Sequence, residues 1–411
     1  MINTFTYFEP EYLIDKNLIF LYFDFDAFFA SVEELENPEL VNQPLIVGNR
    51  FSRSVVSTCN YVARSYGIRS GMSILKALEL CPNAIFAHSN FRNYRKHSKR
   101  IFSVIESTFS LKIDVLSVDE GVACFQNISF KKAFLIAKKI KNFVFQNLRI
   151  KISIGISDHF LIAKIFSNQA KPFGIKSCSV KDIKKKLWPL PITEIPGIGE
   201  KHIDLVFKNN FYKINDLAVC EDASLLKKVF GNFWESLKAV SLGKWYTDNN
   251  NQVKSRSFAV SETLEDLNYS NNQLNKKLTQ IFDQLFIRLQ LSSQVCKGIV
   301  VQLKSNDFIV NSHSNKMKKY SNDYRKLLSI TKRLFNRLLI NTEKNVRLIG
   351  ISFFDLKKID TDEGQKKSLF YQFIPKSISK LSEESSLDKL IFDINESFGF
   401  EIIKRANKLK S

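Results

Sequence analysis

Hydrophobic residues are densest in LIFLYFDF, residues 18–25, which reads as a strand buried on both faces. The next stretch, DAFFASVEELENP, spaces its apolar residues as a helix does. Asp26 is placed to cap that helix and Pro38 to end it. Shorter apolar runs predict strands at 44–48 and 54–60, and a basic, glycine-punctuated segment, YVARSYGIRSGMSILKALELCP, follows. The run IDVLSVDEGVACF, 113–125, is strand-like but interrupted by two adjacent acids. SFKKAFLIAKKIKNFVFQNL has helical spacing, and RIKISIGIS alternates as a strand. This order of elements predicts an α+β domain on an antiparallel sheet.

The texture changes near residue 180. Residues 181–245 read as small and all-helical, with a Pro-Gly-x-Gly turn in IPGIGEKH. YTDNNNQVKS, 246–255, is polar and Asn-rich and reads as a linker. Beyond it, strand runs at 297–303 and 346–354 enclose helical stretches. The tail from about 361 is charged and carries one amphipathic helix in SLDKLIFDINESFGFEIIKRANK. No apolar run approaches the roughly 18 residues of a membrane span. The N-terminal MINTFTYFEPEYLIDKN carries acids and no secretory hydrophobic region. The expectation is a soluble, cytoplasmic protein with no membrane partner.

Charge sharpens the picture. Lys plus Arg number 61 against 41 Asp plus Glu, a formal net charge of +20, which exceeds what solubility needs and points to a polyanion such as nucleic acid. The plainer alternative is a set of solvated lysine-rich faces. Six cysteines, at 59, 81, 124, 178, 220 and 296, lie at least 22 residues apart and read as free thiols of a reducing compartment. Five scattered histidines give no zinc spacing.

The candidate chemistry lies in the carboxylates. Asp24 and Asp26 are two apart and would share a strand face. Asp119 and Glu120 form a second pair in another strand-like run. Several buried carboxylates need compensating cations. A hard divalent ion such as Mg²⁺ takes oxygen ligands and leaves positions for substrate phosphates. The competing reading is structural, with acids at strand ends capping helices or turns.

Five blocks, in order, carry a resemblance. They are DFDAFFASVEELENPEL with QPLIVG, VVSTCNYVARSYGIRSGMSILKALELCP, LSVDEG, ISIGISDHFLIAKIFSNQAKPFGI, and LPITEIPGIGEKHIDLVFKNNFYKINDLA. Together they resemble the Y-family translesion DNA polymerases, most closely the bacterial DNA polymerase IV branch, from about residue 19 to at least 356. The resemblance implies an α+β right-hand polymerase. After an N-terminal extension, 1–17, the palm would span 18–29 and 91–178, around small fingers at 30–90. A helical thumb with a helix-hairpin-helix would span 179–245, a linker 246–253, a little finger 254–358 and a tail 359–411.

The resemblance also implies roles. Asp24, Asp119 and Glu120 match the catalytic, metal-binding carboxylates, and the backbone carbonyl of Phe25 serves one of two Mg²⁺ ions. Asp26 matches an aspartate that is not a direct ligand. Thr58, Tyr61, Arg64 and Lys171 match the nucleotide-binding residues, the last three at the triphosphate. Phe29 matches the steric gate beneath the incoming sugar, and Phe28 is left to core packing. Gly197, Gly199 and Lys201 would meet the DNA backbone at a helix start. VKSRSFAVSETLEDL, 253–267, and VRLIGISFFDL, 346–356, resemble the little finger's edge strands, with Lys254, Arg256 and Arg347 on phosphates; solvated strand charge is the alternative. QKKSLF, with Gln365, Leu369 and Phe370, resembles a sliding-clamp peptide, although Lys367 stands where an apolar residue is usual. Leu369 and Phe370 could instead dock the tail on the little finger.

The implied reaction adds a deoxynucleotide to a primer 3′-end and releases pyrophosphate. One metal lowers the pKa of the primer hydroxyl and the other holds the triphosphate. Primer–template DNA and deoxynucleoside triphosphates are the implied partners of a monomer. Small side chains at Ser57, Thr58, Ser70 and Gly71 form a loose roof over the base pair, so damaged templates are tolerated and fidelity is low. No further acidic cluster suggests proofreading. The chain departs from the family at Gly121-Val122-Ala123-Cys124, where Ala, an aromatic, Leu and Asp are usual. A non-catalytic DNA-binding relative, or a metal-dependent nuclease, are the alternatives.

Overall fold

Leu18–Phe25 forms strand β1, and all eight of its residues are buried. In this computed structural model the described residues are 18–49, 54–245, 257–264, 269–340 and 346–358, and they fall into two compact units, 18–245 and 257–358. After β1 the first unit runs through α1 (Phe28–Glu36), β2 (Leu45–Val47), β3 (Thr58–Cys59), α2 (Tyr61–Ser65), α3 (Ile74–Leu80) and β4 (Ile85–Ala87). It continues through α4 (Phe91–Phe109), β5 (Asp114–Val115), β6 (Glu120–Gln126), α5 (Phe130–Leu148), β7 (Ile152–Ser157), α6 (Phe160–Gln169) and β8 (Ile175–Ser177).

Five strands form one sheet in the order β5-β6-β1-β7-β8, antiparallel except where β7 meets β8. Strand β1 is central, which is why it is apolar at every position but Asp24 and the Tyr22 hydroxyl. Ile19, Leu21, Phe23 and Phe25 face one core with Tyr94 and Ile101 of α4 and Ala133 and Ile140 of α5. Leu18, Phe20 and Tyr22 face the other core with α6. Asp24 follows the second parity, so its position belongs to the α6 face.

Residues 45–87 make a three-stranded sheet, β3-β2-β4, over a core of only eight buried residues, among them Ile46, Val56, Ile68 and Ile74. The strand expected over 54–60 shrinks to Thr58–Cys59, with Val55 in an isolated bridge to Ser73. The acid-interrupted run at 113–125 is two strands joined by a turn. Ser117 Oγ accepts from the amides of Asp119 (3.3 Å) and Glu120 (3.0 Å), and this turn puts both acids at the start of β6. Asp26 does not cap α1. The N-cap is Ala27, at φ 46°, and the Asp26 carboxylate is drawn instead to Ser153 and the Phe173 amide.

Helices α7 (Ile183–Lys186), α8 (Glu200–Lys208), α9 (Ile214–Val219), α10 (Ala223–Phe230) and α11 (Trp234–Ser241) complete the unit. Val206, Leu217, Leu226 and Leu237 join the same core as α6. The second unit is β9 (Ser257–Thr263), α12 (Asn271–Leu291), β10 (Gln294–Ser305), β11 (Val310–Ser321), α13 (Tyr324–Ile340) and β12 (Val346–Lys358). Its antiparallel sheet has the order β11-β10-β12-β9. Leu278, Phe282, Leu327 and Phe335 of the helices cover Ile299, Val301, Ile351 and Phe353. The edge assignment therefore holds for the 257–263 strand but not for 346–356: β12 pairs on both sides, with β10 and β9. The other edge is β11, in which Met317 alone is buried, so its sequence carries almost no apolar pattern. Among the described residues no helix is long and apolar enough to cross a membrane.

Candidate active site

The sheet gathers the acids at one end. Asp24 pairs across β1–β6 with Glu120, and the Phe25 amide donates to the Asp119 carbonyl at 2.9 Å. Asp24 is 4% exposed, whereas Asp119 and Glu120 are half-buried. Two lysines answer them. Lys171 Nζ lies 2.6 Å from Asp24 Oδ2. Lys164 Nζ donates to both Glu120 carboxylate oxygens at 3.1 Å and to the Tyr22 hydroxyl at 3.1 Å. Asp119 accepts from Ser117 Oγ at 2.7 Å.

Burial pushes the Asp24 carboxyl up to about 7. Lys171 pulls it partly back, and the charges of Asp119 and Glu120 push it up further. Burial, followed by Glu120, raises the Tyr22 hydroxyl as well, so Tyr22 stays protonated beside the acids. Among the described residues no three carboxylate, histidine or cysteine side chains converge closely enough to share an ion; Asp24 and Glu120 are each turned to a lysine. The donor set nonetheless fits a hard cation. It is all oxygen, and a mostly buried carboxylate strained by two neighbouring acids is relieved by positive charge.

Asp26 acts as a joint. Its carboxylate accepts from Ser153 Oγ (2.8 and 3.0 Å), the Phe173 amide (2.7 Å) and, weakly, the Tyr61 hydroxyl (3.5 Å). It thus ties β7, the 171–174 loop and α2 together. Lys141 Nζ holds the same loop through the Phe173 carbonyl at 3.3 Å. Tyr61 starts α2, capped by Asn60, and the Arg64 guanidinium lies 4.7 Å from its ring centroid. Arg64 also donates to the Cys59 carbonyl, and Thr58 is buried on β3. Tyr61, Arg64 and Lys171 are thereby brought to the same end of the sheet as Asp24.

Phe28 and Phe29 part company. Phe28 is 2% exposed and packs on Phe25 at 5.1 Å. Phe29 is half-buried and stacks on Tyr94, centroids 4.4 Å apart and planes 12° apart; Glu33 anchors the Tyr94 hydroxyl at 2.5 Å. Gly121 has a physical reason as well. A Cβ there would meet Phe102 Cε1 at 2.7 Å and Ile113 Cγ2 at 2.8 Å. The Phe102 ring, stacked on Phe25, fills the space that an alanine would need.

Three family models match the chain: the impB/mucB/samB family over residues 23–168, the IMS family HHH motif over 180–207 and the impB/mucB/samB family C-terminal domain over 255–369. The chain is 32% identical to the DNA polymerase IV of Ureaplasma parvum serovar 3, over 86% of this chain and 97% of that protein. It is 62% identical to the "Uncharacterized protein MG360 homolog" of Mycoplasma pneumoniae, over 100% of this chain and 99% of that one. Among solved structures it resembles a Y-family DNA polymerase chimera, with TM-score 0.71 and 25% identity, over 83% of this chain and all of the other.

The chain belongs to the Y-family DNA polymerases. It is a DNA-directed DNA polymerase of the translesion type, with palm, fingers, helix-hairpin-helix thumb and C-terminal little finger. Polymerases of this family are metal-dependent. In the polymerase's thumb, Gly197 sits at φ 104° and Gly199 caps α8. Neither would have an atom within 4 Å of an added Cβ, so this turn is open to an approaching group. Lys201, the second residue of α8, is exposed. In the little finger, Arg347 is half-buried, with its guanidinium 4.7 Å from the Phe308 ring centroid. Lys254, Arg256, Gln365, Leu369 and Phe370 lie outside the described residues. The reading from sequence missed Lys164 and the joint made by Asp26. Lys164 had a signal: it is the lone charge in the buried helix FLIAKIFSNQ.

Proposed function

We propose that this polymerase adds deoxynucleotides to a primer–template with two Mg²⁺ ions held by Asp24, Asp119, Glu120 and the Phe25 carbonyl. The observation that carries the assignment is the pairing of buried Asp24 with Glu120 across the sheet, beside Asp119. When bound, the ions supply Lewis acidity to the primer hydroxyl and to the triphosphate. The chain's own groups bind and orient. Arg64 and Lys171 offer cations to the triphosphate and Tyr61 a hydroxyl. Burial, then Asp26, raises the Tyr61 hydroxyl to about 12, which keeps it a donor. Thr58 backs this pocket. Half-buried Phe29, braced flat by Tyr94, bars a 2′-hydroxyl. Gly197, Gly199 and Lys201, with Lys254, Arg256 and Arg347, hold the DNA backbone. The enzyme works as a cytoplasmic monomer, tethered to the sliding clamp through Gln365, Leu369 and Phe370.

Single-nucleotide primer extension with Mg²⁺ tests this reading. The wild-type chain should extend the primer by one deoxynucleotide and release pyrophosphate. Glu120→Ala and Asp119→Ala should each extend at less than about a hundredth of that rate while binding primer–template normally. Shortened primer would point to nuclease chemistry, and near-normal extension by both variants would remove the metal assignment.

A further inference from the structure

The two lysines that answer the carboxylates are not equivalent. Lys164 is 15% exposed, rides on α6 and is committed to three acceptors, both Glu120 oxygens and the Tyr22 hydroxyl. Lys171 is 29% exposed, lies past the end of α6 and is paired with a single Asp24 oxygen. Its backbone is fixed, because the next residues are fastened by Asp26 to the Phe173 amide and by Lys141 to the Phe173 carbonyl. The freedom that remains is in its four-carbon stem. While it sits 2.6 Å from that Asp24 oxygen, the ammonium takes the place that a cation held by the same oxygen would need.

We propose that Lys171 is a counter-ion shared in turn, seated on Asp24 in the free enzyme and leaving it for the nucleotide's phosphates. This rests on the reading of Asp24 as a metal ligand and of Lys171 as a triphosphate contact. Before nucleotide arrives, a divalent cation must compete with an ammonium already seated on its most buried ligand, so cation binding is weak. A triphosphate that draws Lys171 away removes the competitor, and cation and nucleotide then favour each other's binding. Linkage makes the coupling reciprocal. Lys164 is not placed to serve this way, because three acceptors hold it at once and it is about half as exposed as Lys171.

The test is Mn²⁺ titration of the full chain, without DNA or nucleotide, followed by the electron paramagnetic resonance of the free ion. Lys171→Met and Lys171→Gln should each bind Mn²⁺ at least about fivefold more tightly than wild type. Both should also show a raised KM for the nucleotide. Lys176→Met, which removes one exposed charge from nearby β8, should bind Mn²⁺ as wild type does. Unchanged or weaker Mn²⁺ binding in both Lys171 variants overturns the proposal. So does equal tightening by Lys176→Met, which would reduce the effect to net charge. Asp24→Asn should weaken the site. If it binds Mn²⁺ like wild type, the ligand assignment itself has failed, and the proposal with it.

Discussion

Gly155 carries the sharpest mechanical prediction. It lies on β7 opposite Tyr22 of β1, under α6. A Cβ there would fall 1.9 Å from the Ala163 carbonyl oxygen and 2.4 Å from the Ser167 amide nitrogen. Both are backbone atoms, so no side chain can rotate away. Helix and strand must separate by about 1.5 Å, since ordinary contact begins at 3.4 Å. Overpacking of this kind typically costs about 1–3 kcal/mol, and a clash with rigid backbone belongs at the upper end. At roughly 2–4 °C per kcal/mol for a unit of this size, the first unit should melt about 6–12 °C lower. The displaced helix carries Lys164, whose bonds to Glu120 are already 3.1 Å, and it leads into Lys171. A misplacement of ~1 Å at reacting groups costs about 10²-fold in rate. Gly155→Ala should therefore lose both stability and single-turnover incorporation. Gly121→Ala is the comparison: its Cβ meets side-chain rather than backbone atoms, of Phe102 and Ile113, so a cost at the lower end, about 1 kcal/mol, is expected. Thermal melts and rapid-quench incorporation measure both variants. If Gly155→Ala melts within about 2 °C of wild type at near-normal rate, the reasoning from α6 to the site is refuted.

Two further outcomes follow from the site's burial. Asp24 keeps its proton in the metal-free fold up to about 7, whereas an unfolded Asp releases it near ~3.9. Between these values the folded chain binds more protons than the unfolded one, so metal-free stability should fall as pH rises from about 4 to about 7 and then level off. Asp24→Asn should lack that slope, match wild type near pH ~4 and exceed it by about 4 kcal/mol near pH ~8; parallel urea-denaturation curves for the two proteins across this range would contradict it. Phe29→Ala should lower discrimination against ribonucleotides by at least about tenfold, while Phe28→Ala should cost about 3–5 kcal/mol of stability, having lost a core ring. Matched ribo- and deoxynucleotide incorporation decides, and discrimination lost only in Phe28→Ala would reverse the assignment.

The parts legible in the sequence are those whose residues face one environment. β1 was readable to the residue because both of its faces are buried. The helix at 130–148 was readable because α5 has one apolar face over the sheet. What escaped is where a local pattern and a distant partner disagree. Asp26 sits at an ideal capping position, but Ser153 and the Phe173 amide, 127 and 147 residues away, outbid the helix start. β11 is a strand of serine, asparagine and lysine held by its ladder with β10, and no periodicity can announce it. The two acids at 119 and 120 look like an interruption within a strand, and only the turn at Ser117 makes them a strand's beginning.

The same division explains how the site can hold its charge. On β1 the odd positions lie against α4 and α5, where nothing but apolar contact is available. The even positions lie against α6, which brings Lys164 and leads into Lys171. An aspartate at an odd position would be buried among rings, and the fold would not bear an unpaired charge there. At position 24 the same residue meets a lysine at 2.6 Å and faces a second carboxylate across the ladder. One residue of slip along β1 would exchange these faces, so the register of β1 with β6 and β7, seven and six paired positions long, sets the chemistry as firmly as the acids do. Residues that only pack, such as Phe23 and Ile154, therefore act on catalysis through register.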